Sequence, residues 1–219
     1  MKIVFASVVI DSYIYYFDKL IKSILKHNPN FDYEFHIITA QNRLIKHECL
    51  DLYPFKIHNV DESKYLLEKR NPKYYSIDAF NIDADKVIFL DADILCINNL
   101  DEILEIDCDI GMFKEIKRPT DFNCGVMVIG KKYLNQETYK KLLTSDYSMV
   151  DRFGNDQKTY NEFFYGKITP IDIKYNTLVS ELIYSVYENI VFLHYIHKPL
   201  TASGIKNLSP ELIELWLST

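Results

Sequence analysis

The sequence carries no staple, no membrane span and no grip for a polyanion. Its cysteines, Cys49, Cys96, Cys108 and Cys124, form no CxxC pair. In a chain of 219 residues they read as small apolar side chains of a reducing compartment, which excludes a disulfide scaffold. No stretch approaches the ~18 apolar residues that a membrane span needs. No basic block offsets the acidic excess, and a net charge of -6 with a pI near 5.5 argues against nucleic acid or anionic lipid as a partner. Low-complexity linkers and internal repeats are also missing, so one domain over residues 1–219 is expected. The start "MKIVFASVVID" could pass for an export signal, but Asp11 interrupts it at the short end of what such a signal uses, so a buried first strand is expected. The expectation is a cytoplasmic protein, free to work beside a membrane.

What is present is an ordinary globular composition, 48% apolar and 26% charged, in a chain long enough to bury a sizeable core. Short β-branched apolar runs recur at Ile3 to Ile10, Phe35 to Thr39, Lys86 to Leu90, Ile110 to Phe113, Val126 to Ile129 and Val191 to His194. Their near-continuous hydrophobicity suits strands buried on both faces of a mostly parallel sheet, so the class is α/β. Helical spacing predicts helices at Tyr13 to Lys26, Ile45 to Leu52, Tyr74 to Phe80, Gln136 to Thr144 and Asp156 to Phe164. The last segment, "LSPELIELWLST", starts a helix with Ser209 as N-cap and Pro210 at its first position, and runs to about residue 217. Its apolar face either docks on the core or meets a membrane, a partner or a further stretch of chain.

One string raises a chemical question. In "KVIFLDADILCINNL" an apolar run, Val87 to Leu90, ends in Asp91 and Asp93, whose charges repel and call for water or a cation. Ligands of open α/β sheets gather beyond the carboxyl ends of strands, and alternate residues of extended chain point to one side. Two hard carboxylates converging there select magnesium or manganese over soft metals, whereas the structural reading is a solvated turn or helix cap. "DFNCGVMVIG" places Asn123 and Gly125 just before another buried strand, where a small residue admits a ligand and an amide reads hydroxyls. "GNDQ" opens a helix with Asp156 and Gln157, and "LHYIHKP" ends a strand with His194, then adds His197 and Lys198, metal-ligating and phosphate-binding types. Singly these are turn glycine, helix cap and surface loop; their order along the chain gives them weight.

In that order the residues resemble the family 8 glycosyltransferases, enzymes of GT-A fold that use nucleotide-diphosphate sugars with manganese. "IVFASVVIDSY" and its helix look like the nucleotide-binding start, "FHIIT" like the second strand, and "VIFLDADILCINNLDEI" like the metal motif. "FNCGVMVI", "NDQ" and "HYIHKP" match the later motifs, so the likeness covers nearly the whole chain. It implies a single Rossmann-like domain and a metal-dependent hexosyltransferase that acts with retention, a UDP-sugar as donor and a glycan, lipid or protein as acceptor. Asp91, Asp93 and His194 would hold Mn2+ (or Mg2+), with His197 as an alternative to His194. Ala6, Asp11, Tyr13, Asp91, Ala92, Gly125 and Lys198 would bind the donor, Lys198 at its diphosphate and Asp11 and Tyr13 near its base. For Tyr13 the alternative is core packing. Asn123, Asp156 and Gln157 would face the reacting sugar.

Two departures stand out: "YYSIDAF" lacks the basic residue the family carries there, leaving Arg70 or Lys73 to supply it, and the loop from His194 to Lys198 is short and without glycine. The first keeps open a non-catalytic nucleotide-sugar-binding domain. A haloacid-dehalogenase-like phosphatase also ends a strand in Asp-x-Asp, but on its first strand and with Thr or Val where Leu95 stands. A nucleotidyltransferase would show a glycine-rich basic loop near the start, and "FASVVIDSY" has neither glycine nor lysine. An EF-hand would need a turn glycine and a closing glutamate that the Asp-rich stretch does not have.

Overall fold

The computed structural model describes residues 1–65, 71–145, 156–184, 189–196 and 208–219. Its centre is β4 (Lys86–Leu90), all five residues of which are buried, as the apolar run Val87 to Leu90 requires, with the Lys86 ammonium donating to Leu104 O (2.6 Å). On one side lie β1 (Ile3–Val8), β2 (Glu34–Ala40) and β3 (Lys56–Val60), all parallel to it in turn; on the other lie β7 (Phe122–Gly130), β6 (Ile110–Lys114) and β8 (Thr169–Ile171). Of these seven strands only β7 runs against its neighbours, so the sheet, in the order β3-β2-β1-β4-β7-β6-β8, is mostly parallel.

Alternation along the strands divides the core into two layers. Phe5, Phe35, Ile88, Leu90, Val126 and Val128 face α1 (Ile14–His27), which buries Ile14, Phe17, Leu20, Ile21 and Ile24 against them. Val4, Val87, Phe89, Met127 and Ile129 face the other way, towards α3 (Gln136–Thr144), α4 (Asp156–Phe163) and the segment Pro72–Asn81. That segment is a 3-10 helix and not the α-helix that its spacing predicts. With Tyr74 through Phe80 all buried, it has no polar face to show, and the three-residue period stacks Tyr74, Ile77 and Phe80.

Two other expectations need correction, and β3 goes unpredicted. Ile45 to Leu52 does not form a helix; only Glu48–Asp51 winds, as 3-10, because Ile45 and Leu52 remain 44% exposed and only Cys49 of that turn finds the core. The terminal run Val191 to His194 is not part of the main sheet. As β10 (Phe192–His194) it pairs antiparallel with β5 (Ile94–Cys96) and parallel with β9 (Thr177–Leu178) in a second, three-stranded sheet. The edge strand β3 shows most of its residues to solvent, so its sequence gives no continuous apolar run.

A short helix, α2 (Asp101–Leu104), follows β5. The last helix, α5 (Pro210–Ser218), is capped by the Ser209 hydroxyl as predicted, and it docks: Leu212 and Trp216 are buried, with Trp216 against Tyr195 (ring centroids 4.7 Å) and Tyr16 (5.9 Å). All four cysteines are free thiols. Among the described residues no helix is long and apolar enough to cross a membrane.

Candidate active site

Three strands bring the acidic motif together with its partners. The chain leaves β4 at Asp91, whose amide donates to Gly125 O on the adjacent β7 (2.7 Å). It then turns through the buried Ala92 and Asp93 into β5. Because β5 pairs with β10 in the register Ile94↔His194, His194 is delivered beside Asp93, and Tyr195 N donates to Asp93 O (2.9 Å). His194 Nε2 stands 3.4 Å from Asp93 Oδ1 and 3.6 Å from Asp91 Oδ2. One ligand atom from each of the three residues lies within 4.8 Å of the others. Gly125 makes room for this: a Cβ there would collide with the His194 ring and stand 3.0 Å from Asp91 Oδ2.

The imidazole's orientation follows from a chain of hydrogen bonds anchored on backbone. Gly125 N–H, which can only donate, bonds to Asn123 Oδ1 (2.9 Å). Asn123 Oδ1 also accepts from Asn176 Nδ2 (2.8 Å), so the Asn176 Oδ1 is the atom that meets His194 Nδ1 (2.9 Å). Nδ1 must therefore carry the proton, and in the neutral ring the Nε2 lone pair faces two carboxylates. Electron pairs meeting in this way are stable only around a cation or a proton. Burial alone would lower the His194 pKa, but Asp93 and Asp91, with Glu115, outweigh it and raise it. Desolvation pushes Asp91 up to about 8, opposed by His194 and reinforced by Asp93 and Asp156. Two carboxylates and an oriented imidazole, its second nitrogen tied to an amide, fit a hard divalent cation, and the 38% exposure of the Asp91 side chain leaves a side open to ligand.

Asn123 sits within the hydrogen-bonded network beside the acidic turn. It is 6% exposed, and its amide is taken up by Gly125, Asn176, Gln157 Oε1 (3.2 Å) and Glu115 Oε1 (3.5 Å), which makes it a positioning residue. Gln157 Nε2 in turn donates to Glu115 Oε1 (2.9 Å), and Arg118 pairs with Glu115 (2.7 Å). Asp156 begins α4, where its carboxylate accepts from Gln157 N (3.0 Å) and from Ser76 Oγ (3.2 Å). Ser76 lies in "YYSIDAF" and also bonds Tyr160 OH (2.7 Å), so a hydroxyl reaches Asp156 from the stretch where a cation was sought. Burial raises Asp156 to about 6 despite these bonds.

At the end of β1, Asp11 adopts φ 46°, a left-handed turn that an aspartate tolerates, with its amide on Arg43 O (2.7 Å). Arg43 binds the Asp11 carboxylate through Nε (3.2 Å) and Nη2 and holds it below the usual carboxylate range. Tyr13 is half-buried and packs on Tyr16, and desolvation together with Asp93 and Asp91 raises its phenol, so it takes part in both the core and the rim of the site. Ala6 is fully buried inside β1 and supports the sheet without reaching its surface. His197, Lys198 and Arg70 lie outside the described residues. Sequence reading missed Arg43, Ser76, Glu115 and Asn176. Each acts through another side chain, and no spacing rule marks such residues.

Comparison with known proteins agrees with this architecture. The E. coli lipopolysaccharide 1,2-glucosyltransferase is 28% identical over 230 aligned positions, covering 82% of this chain and 67% of that protein. The galactosyltransferase LgtC, solved with donor and acceptor sugar analogues, superposes with a TM-score of 0.72 at 19% identity, over 100% of this chain and 96% of its own. The glycosyltransferase GlyE of Streptococcus pneumoniae TIGR4 gives 0.75 at 20% identity, over 99% of this chain and 60% of its own. At these identities the structural likeness speaks to the fold, which is GT-A. The sequence model of glycosyl transferase family 8 matches residues 4–199, a span that takes in β1, the acidic turn and His194, and the chain therefore belongs to that family of glycosyltransferases.

Proposed function

We propose that this glycosyltransferase moves a hexose from a UDP-sugar to a carbohydrate-bearing acceptor, with retention of configuration, and that Asp91, Asp93 and His194 hold the manganese (or magnesium) it uses. The observation that carries this reading is the convergence of His194 Nε2 on both carboxylates, 3.4 Å from Asp93 Oδ1 and 3.6 Å from Asp91 Oδ2. The similarity to a lipopolysaccharide glucosyltransferase favours a glycolipid acceptor and a cytoplasmic protein working as one domain at the membrane face.

Breaking the sugar–phosphate bond leaves a nucleoside diphosphate anion and a cation-like anomeric carbon. A divalent cation bound to the three ligands supplies Lewis-acid neutralisation of that anion. Lys198 adds a fixed positive charge at the diphosphate. Asp156 and the Gln157 amide, steadied by Ser76, Asn123 and Glu115, supply electron-rich groups towards the sugar. Asp11, with Arg43 behind it, and Tyr13 take the base; Ala92 and Gly125 leave room for the nucleotide beside the carboxylates.

Calorimetric titration of UDP, GDP and their sugars, with and without manganese, followed by an assay of slow donor hydrolysis, tests this. One donor bound only with manganese and slowly hydrolysed is the expected result. No nucleotide binding under either condition overturns the reading. Ser76, in the stretch where the family carries a basic residue, favours a second reading, a non-catalytic nucleotide-sugar-binding domain; binding without hydrolysis or transfer to any acceptor preparation would select it.

A further inference from the structure

A second group of metal-ligating side chains lies away from the acidic turn and shares no residue with it. Asp18, on the first turns of α1, His47, which caps the 3-10 turn Glu48–Asp51, and Cys49 within that turn each offer a ligand atom within 4.8 Å of the other two. Asp18 is 7% exposed. Its Oδ2 is held by Lys22 (2.9 Å), while Oδ1 is buried and has no hydrogen-bond partner among the described residues. A carboxylate oxygen buried without a donor costs free energy and calls for a cation. Cys49 is fully buried. The Cys49 N–H donates to His47 Nδ1 (3.2 Å), which keeps that nitrogen unprotonated, as a metal ligand must be, and ligation there would replace this one long capping bond.

The donor set differs in kind from the active-site triad. One thiolate, one imidazole and one carboxylate make a borderline-soft site, with a fourth position for water, and such a set selects zinc over magnesium or manganese. We propose that Asp18, His47 and Cys49 bind a zinc ion that staples the turn after β2 to α1. On binding, the Cys49 S–H bond breaks, an S–Zn bond forms and the proton passes to solvent, with no change of oxidation state. Two anionic ligands then offset the dication, while the Lys22 ammonium, 2.9 Å from Asp18 Oδ2, orients that carboxylate and is itself balanced by Glu48 at 3.7 Å. At this location the ion has a structural role, because residues 41–47 between β2 and the turn contain no regular element and the spacing of Ile45 to Leu52 fails to produce the helix it predicts.

The test uses cobalt(II) as a spectroscopic stand-in, titrated into the full chain after removal of metals by a chelator. Thiolate ligation gives a near-ultraviolet sulfur-to-cobalt charge-transfer band and tetrahedral visible bands. The expected result is one such site per chain, bleached by zinc, lost in Cys49→Ser, at least tenfold weaker in His47→Ala and retained in Asp93→Ala. His47 sits in a half-exposed turn, so His47→Ala keeps the test decisive if Cys49→Ser does not fold. Absence of the band in the wild-type protein, its persistence at full strength in His47→Ala, or its loss in Asp93→Ala overturns the proposal.

Discussion

Two aspartates from look-alike apolar stretches, Asp78 of "YYSIDAF" and Asp91 of "VIFLDAD", end in opposite situations. Asp78 is 2% exposed and saturated with donors: His58 Nε2 at 2.9 Å, Tyr139 OH at 3.3 Å and the Tyr65 hydroxyl. Asp91 instead shares one histidine with a second carboxylate, and that histidine is turned so that its free nitrogen faces both. Burial of a carboxylate is thus no mark of function. What separates a structural acid from one awaiting a ligand is the count of donors aimed at it.

The largest break in this comparison is Asp93→Ala. Transfer and metal-dependent donor binding are expected to fall by about 10³-fold, the equivalent of several kcal/mol of charge stabilisation. The fold should persist, and the metal-free variant should melt no lower than wild type, since a like charge beside Asp91 has gone. Wild-type turnover in this variant would sink the metal assignment. Asp78→Ala should do the reverse. It strands two buried hydroxyls, Tyr65 and Tyr139, and the partly buried His58, and should cost about 3 kcal/mol in urea unfolding, with manganese affinity of the folded fraction unchanged. Unchanged stability with lost manganese binding would show the two aspartates to have been interchanged here.

How far the sequence betrays this arrangement depends on how each part is built. β1, β4 and β7 are legible because strands covered on both faces must be largely apolar, and Asp91 and Asp93 are legible because paired charges at such a strand's end call for water or a cation. The apolar run before His194 points to a strand of the main sheet, yet the residue arrives through β10 of the small sheet, a tertiary pairing that three residues of sequence do not announce. The segment Pro72–Asn81 misleads for a related reason, since a stretch buried on every side has no amphipathic period from which to tell a 3-10 from an α winding. Asn176 and Ser76 leave no trace at all. Each is a single small polar residue whose meaning lies in what it touches.

Those two residues provide the finer tests. Asn176→Ala releases His194 Nδ1 and with it the tautomer, so manganese affinity should fall 10- to 100-fold, the usual scale for loss of a partner behind a metal-bound histidine. Manganese titration, with Asp93→Ala as reference, reads the effect directly; an unaltered affinity would mean that the carboxylates alone set the site.

The smallest expected effect concerns Asp156, a partly buried carboxylate that lies between the two extremes with a hydroxyl and an amide as donors. Its folded pKa, about 6, lies above the ordinary 3.8, so the folded protein binds this proton more tightly than the unfolded chain. The stabilising contribution is therefore complete below about pH 4 and is lost as pH rises through about 6. Activity runs the other way, because only the carboxylate can support a cation-like sugar, and the rate should decline on the acid side of the same pKa. Ser76 favours the charged form by donating to it, so Ser76→Ala should move the acid limb of the kcat profile upward by about one pH unit, the worth of one hydrogen bond to a charged group. The pH at which the fall in urea stability levels off should move in parallel. A shift in kcat alone would place the ionising group outside Asp156, whereas a matched shift in both ties one carboxylate to the fold and to the chemistry at once.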